Sequence, residues 1–223
     1  MLIYNKIKIP HLFKCAGTSL RRTLVKYDIQ GISYISEHDS KDILDNMSWC
    51  TNYNSVSLVR HPYAYYESLY NYHKDMPVIN ALSTITEKDY LNKIKNFDTW
   101  LDATLDLPKF FEESYRLQAF IKELSSRNGF LKSWFMNKPL NELKPDDFIG
   151  SMYSLQVNKM LWDDTQTFKL ENEVPLFLRH IGFSHNLLQE NITADKSSVL
   201  NKEQKERIYN VDRHLFERFG YER

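Results

Sequence analysis

The chain reads as an α/β protein: a central parallel β-sheet flanked by helices, with a helical insertion near its middle. Two observations predict this. Short apolar runs of strand length alternate with longer amphipathic runs, a pattern that builds parallel sheets with helices on both faces. The span from about 75 to 150 instead carries helical periodicity without strand signals, which marks it as an insertion able to shape a substrate cleft. At 223 residues the chain suits one domain over 1–223.

The elements follow in order. Strands are expected near 7–13, 31–36, 54–60 and 166–170, where apolar and β-branched residues cluster. Helices are expected near 18–27, 40–47, 62–74, 87–95, 98–105, 109–125, 173–181 and 202–218. Pro62 suits a first helical turn, because its missing N–H has no intrahelical partner there. Thr86 with Asp89 reads as a capping start, and Asn128-Gly129 as a turn. Tyr115, Leu117, Phe120, Ile121 and Leu124 form one apolar stripe. The tyrosines between Tyr63 and Tyr72 fall at helical spacing, so they read as core packing rather than a base-stacking platform.

Two segments carry chemistry. Between the first strand and the first helix lies Lys14-Cys15-Ala16-Gly17-Thr18-Ser19. A small-residue turn there aims backbone N–H groups and the helix's positive end at one point, which is an anion site. Lys14 adds a full charge, and Thr18 and Ser19 add hydroxyl donors. The order is not that of an ATP- or GTP-binding G-x-x-x-x-G-K-[ST] loop, because Lys14 precedes Gly17. The second segment is the run 54–60, which ends in Arg60 and is followed by His61-Pro62 and, further on, Ser68. Arg60 thus falls at the carboxyl end of a strand, where open α/β sheets bind ligands. A guanidinium and a hydroxyl so placed suit a second phosphate.

Together, K-x-x-G-T-S and R-x-P with a serine eight positions after the arginine resemble the two nucleotide-binding motifs of sulfotransferases. Those enzymes use 3′-phosphoadenosine 5′-phosphosulfate (PAPS) and release 3′-phosphoadenosine 5′-phosphate (PAP). The likeness is to the carbohydrate branch, including heparan 2-O-sulfotransferases and soluble bacterial or viral members. It implies a P-loop-like three-layer fold. It implies that Lys14, Cys15, Ala16, Gly17, Thr18 and Ser19 hold the phosphosulfate, and that Arg60 and Ser68 hold the 3′-phosphate. Lys14 would stabilise the departing phosphate. By position after the second strand, His38 matches the histidine base of the 2-O-sulfotransferase branch, and Glu37 matches the glutamate base of other branches. Thr167–Asn172, ending in Glu171 and Asn172, resembles the family's late strand, and the run 208–221 its terminal helix. Cys15 stands where threonine is common and His61 where aspartate is common. In place of an arginine-lysine-glycine element, Lys196 is the candidate for the far side of the 3′-phosphate.

The remaining residues bound the function. Lysine plus arginine and aspartate plus glutamate balance at 29 each, so no global field points to nucleic acid or an anionic membrane. Lys14, Arg21 and Arg22 form a local basic cluster, unless the two arginines are only solvated helix residues. His11 with Cys15, and His180 with His185, lack further ligands, so no metal is expected. Trp134, Phe135 and Tyr153 either line an acceptor cleft or fill the core. His61 is expected to orient the strand end, and His73 to lie on the surface. Two cysteines, Cys15 and Cys50, suggest reduced thiols rather than a disulfide framework. With no membrane span and no signal-peptide pattern, a cytoplasmic protein is expected. The expected activity is transfer of a sulfuryl group to a hydroxyl of a glycan or small molecule. The competing readings are a P-loop-like kinase or nucleotide hydrolase, and a nucleotide-binding module without catalysis.

Overall fold

A computed structural model describes residues 1–12, 14–35, 41–74, 96–106, 150–188 and 200–223. The expected helices near 87–95 and 109–125, the Thr86–Asp89 cap, the Asn128-Gly129 turn and the aromatic stripe lie outside these residues.

The described chain is a mixed α/β structure. Five strands, β1 (Leu2–Tyr4), β2 (Ile7–Ile9), β3 (Ile32–Ile35), β4 (Val56–Val59) and β5 (Gln166–Lys169), form a three-stranded and a two-stranded ladder set. In the first, β1 lies between β2 and β3 and is antiparallel to both. In the second, β4 and β5 pair parallel, Val56 with Gln166 through Val59 with Lys169. One parallel bridge, Lys8 with Ser55, joins the ladders. All four expected strands therefore share one direction, and their carboxyl ends meet at one edge.

The sheet corrects the expected all-parallel arrangement. β1 is an extra, antiparallel strand, returned by a two-residue turn in which Asn5 and Lys6 have φ of 48° and 61°. Two left-handed residues match the twist of a tight hairpin. The first expected strand also stops early, at Ile9, because Pro10 has no N–H to continue a ladder.

Helix α1 (Gly17–Tyr27) follows β2, α2 (Lys41–Asp45) follows β3, and α3 (Pro62–Lys74) follows β4. Then come α4 (Phe97–Leu105), α5 (Met152–Met160), α6 (Val174–His180) and α7 (Lys202–Phe219). Local chemistry explains their ends. The Asn96 carboxamide oxygen accepts from the Asp98 N–H, and Ser151 Oγ from the Ser154 N–H. Asn201 and Gln204 form a reciprocal capping box. Gly220, with φ of 64°, ends α7 in the left-handed conformation.

Alternation along the strands divides the core. Leu2, Tyr4, Ile9, Val56, Leu58 and Phe168 pack with α1 residues Leu20 and Leu24 and α6 residues Phe177 and Leu178. Met1 and Ile3 pack with Leu44 and Cys50 instead. Leu12 and Val59 join the largest cluster, built from α3, α4, α5 and α7. Its tyrosines Tyr65 and Tyr66 are fully buried, as the helical spacing in 63–72 predicts.

That helical cluster holds one buried carboxylate. Asp212 accepts from Tyr66 Oη at 2.6 Å, Ser151 Oγ at 2.5 Å and Ser154 Oγ at 2.8 Å. Three hydroxyls from α3 and the start of α5 thus converge on α7, whose backbone leaves helical geometry at Asp212. Burial pushes the Asp212 carboxyl up, against the pull of these hydrogen bonds. A raised folded-state value means the group's contribution to stability is fully present below the ordinary carboxylate range. It is lost as pH rises through the folded value. In urea unfolding, Asp212→Ala is expected to cost about 3 kcal/mol, because three buried hydroxyls lose their acceptor. Asp212→Asn is expected to gain stability relative to wild type as pH is raised from about 4.

Candidate functional site

The loop between β2 and α1 is built from strained backbone. Lys14 and Ala16 have φ of 58° and 62°, left-handed values that cost a non-glycine residue about 1 kcal/mol each. Alternating such residues turns successive N–H groups toward one point. Ala16 is the N-cap of α1 and has no side-chain oxygen to offer the first turn. Cys15 N–H bonds back to the Leu12 carbonyl at 3.4 Å, and Leu20 N–H to the Ala16 carbonyl at 2.9 Å. Cys15 is buried, and burial pushes its thiol up to about 12, so its side chain belongs to the core and stays protonated. Thr18 is half-buried, and Ser19 is buried with its carbonyl accepting from Thr23 Oγ1 at 2.6 Å.

Gly17 is required by close approach. A Cβ there would lie 1.7 Å from His11 Cδ2, so the imidazole rests directly on the glycine. His11 and Gly17 also line a small cleft with Pro10, Cys15, Arg21 and Ile35. Ile35 ends β3, so the end of that strand reaches the same cleft.

Arg60 follows β4 at the same edge. Its Nη1 donates to the Lys14 carbonyl at 3.0 Å. Two segments separated by 46 positions are thereby joined through the two cations the sequence singled out. The Lys14 ammonium is held below its ordinary range, first by burial and then by the neighbouring guanidinium. Ser68 lies half-buried on α3, further along the helix that Pro62 opens.

The backbone where β4 turns into α3 is held by side chains from elsewhere. The Val59 carbonyl accepts from Leu170 N–H at 2.8 Å and from Tyr221 Oη at 3.2 Å. Arg60 N–H donates to Tyr153 Oη at 3.0 Å, and Tyr153 O–H donates to the Arg60 carbonyl at 2.8 Å. His61 N–H donates to Glu171 Oε1 at 2.8 Å, and Tyr221 O–H donates to Glu171 Oε2 at 2.8 Å. His61 orients this turn, as expected: its Nδ1 accepts from Tyr63 N–H at 3.2 Å, and its ring packs against Phe216 and Tyr221. Burial lowers its imidazole from the ordinary range, against the Glu222 carbonyl and the Glu171 carboxylate.

Of the residues the sequence selected, Lys14 and Arg60 are brought into contact, and Cys15 through Ser19 form the turn and first helical residues beside them. Glu37, His38 and Lys196, with Trp134 and Phe135, lie outside the described residues. Tyr153 belongs to the core: it is fully buried and stacked on Tyr65, with ring centroids 4.0 Å apart. Its bond to Arg60 is a feature that sequence reading missed. The signal present was Gly150-Ser151 ahead of an apolar run, a cap that starts α5 and fixes where Tyr153 points. Among the described residues no group of three or more His, Cys, Asp or Glu is arranged to hold a metal ion. None of their helices is long and apolar enough to cross a membrane.

No family model, no curated protein and no solved structure matches the chain.

Gly17→Ala is expected to displace the His11 ring and destabilise the protein by about 1–3 kcal/mol, an overpacking cost. His11→Ala in the same chain should recover part of that loss. A double-mutant cycle in urea reads this as a coupling between positions 11 and 17.

Proposed function

We propose that the chain is a PAPS-dependent sulfotransferase of P-loop-like three-layer architecture, which moves a sulfuryl group onto a hydroxyl of a carbohydrate. The observation that carries the reading is the 3.0 Å hydrogen bond from Arg60 to the Lys14 carbonyl. It joins the two motifs that resemble a phosphosulfate loop and a 3′-phosphate arginine, at the amino end of α1 and the carboxyl edge of the strands. Two adjacent cations, one of them lowered by burial and by the other, favour an anionic ligand that restores the charged form.

In this reading Lys14 and the backbone and hydroxyls of Gly17, Thr18 and Ser19 hold the phosphosulfate. Arg60 and Ser68 bind the 3′-phosphate, and Lys196 supplies its far side. The acceptor oxygen attacks sulfur in line as the bond from sulfur to the 5′-phosphate oxygen breaks. The hydroxyl proton passes to His38, whose ordinary titration range suits a base near neutral pH, or to Glu37. Lys14 neutralises the charge that develops on the departing phosphate, and PAP is released. Sulfate carries less charge than phosphate, so this chemistry places less demand on a metal than phosphoryl transfer does.

Calorimetric titration with PAP, 5′-AMP and ATP in the absence of metal tests the donor site. Binding of PAP in the micromolar range is expected, with 5′-AMP about tenfold weaker or worse and the difference lost in Arg60→Ala. A preference for ATP that depends on Mg²⁺ would overturn the reading. Lys14→Ala and His38→Ala are expected to lose turnover in a sulfuryl-transfer assay. Full activity in both would refute the mechanism.

A further inference from the structure

The guanidinium of Arg60 is only as well aimed as the peptide that carries it. Arg60 lies beyond the last paired residue of β4, and its flanking peptides are held on their outer sides by Leu170 N–H on the Val59 carbonyl and by Glu171 on the His61 N–H. One side chain holds the N–H and C=O of Arg60 itself. Tyr153 Oη accepts from Arg60 N–H at 3.0 Å and donates to Arg60 C=O at 2.8 Å. A hydroxyl that accepts from and donates to the same residue fixes the rotation of both flanking peptide planes. The phenol itself is held in place. Its ring is fully buried and stacked on Tyr65 with planes 8° apart, and Tyr65 Oη accepts from Gln156 Nε2 on the helix that carries Tyr153. Burial raises the phenol well above its ordinary range, so the donated proton persists through the neutral pH range.

We propose that Tyr153 is a positioning residue for nucleotide recognition. Its hydroxyl sets the direction in which Arg60 meets the 3′-phosphate, without touching the nucleotide. The inference rests on the donor-site reading above. It assigns the selectivity for a 3′-phosphate jointly to Arg60 and to a buried residue 93 positions away. Tyr153 acts on the arginine arm of the site. The lysine loop, which in this reading holds the 5′-group, has its own left-handed backbone at Lys14 and Ala16 and meets this arm through the Arg60 bond to the Lys14 carbonyl and through the Cys15 thiol beside the Tyr153 hydroxyl.

The test is Tyr153→Phe, which keeps the stacked ring and removes both bonds to Arg60. The readout is the ratio of 5′-AMP to PAP dissociation constants in the metal-free full chain, by calorimetry. Wild type is expected to show a large ratio. Tyr153→Phe is expected to reduce it about tenfold, through a loss of PAP affinity that exceeds any loss of 5′-AMP affinity by that factor. Tyr66→Phe, an equally buried tyrosine on α3 whose hydroxyl serves Asp212, should lose stability while keeping the wild-type ratio. An unchanged ratio in Tyr153→Phe, or an equal loss for both nucleotides, would overturn the inference and leave the donor site standing. Absence of PAP binding in wild type would overturn the donor-site reading and this inference with it. Hydrogen exchange on the wild-type protein gives a measurement independent of the variant's folding. The Arg60 amide is expected to exchange slowly before any nucleotide is added. Exchange at the rate of an open loop would show that Tyr153 does not hold it.

Discussion

The turn from β4 into α3 must leave no buried peptide group without a partner, and the rest of the described structure is arranged around that constraint. Val59 is buried, and Arg60 and His61 are half-buried, where the chain leaves the sheet. An orphaned N–H or C=O there costs about 1–3 kcal/mol. Three side chains from distant elements serve these groups: Tyr153 from α5, Glu171 from just after β5, and Tyr221 from just after α7. The same bonds tie the helical cluster to the sheet. Helices α3, α5 and α7 therefore contribute to the strand edge although none of them follows the Lys14 loop.

The loop beside that edge draws on the fixed geometry. Its left-handed residues at 14 and 16 are unfavourable for lysine and alanine, and they persist because the surroundings determine them. The Lys14 carbonyl is committed to Arg60, the Cys15 side chain to the core, and Gly17 to the face of His11. Positive charge from Lys14 and Arg60 thus stands at close quarters in the loop before α1. Lys14 responds by titrating below its ordinary range, since its own charge is disfavoured by burial and by the guanidinium. An anion reverses both effects, which is why the arrangement reads as a binding site rather than a structural ion pair.

Asp212 shows a second way of burying charge in the same helical cluster. His214 lies beyond Ser154, whose hydroxyl also meets its Nε2 at 3.1 Å. Three hydroxyls donate to Asp212, and they draw α7 out of regular helix geometry at the point of contact. Hydroxyls are weaker partners than a guanidinium, but they reach a buried carboxylate without carrying a second charge into the core. The network fixes α3, α5 and the kink of α7 relative to one another. The placement of Tyr153, two residues beyond Ser151, follows from it.

Much of the local structure was legible in the sequence. Pro62 marks a helix start through its own backbone limits, and the tyrosines of 63–72 announce a buried face through spacing. The positions of the Lys14 loop before α1 and of Arg60 after β4 were legible because each follows a short strand-like run in the sequence. The short strand Leu2–Tyr4 was not, because three residues carry too little periodicity and its partners lie on either side of the first crossover. Nor was helix α5, whose Ser151 cap is a weak signal without its tertiary partner Asp212. By itself the sequence determined most of the segments that become strands and helices, and the residue types that stand at the strand ends. Those properties depend on neighbours within a few positions. Tertiary structure alone decided that Arg60 bonds to Lys14, that Tyr153 holds Arg60, and that β1 enters the sheet antiparallel. Each of these joins residues far apart in the chain or sets the order of strands, and partners at such separation are selected by the packing of the whole core.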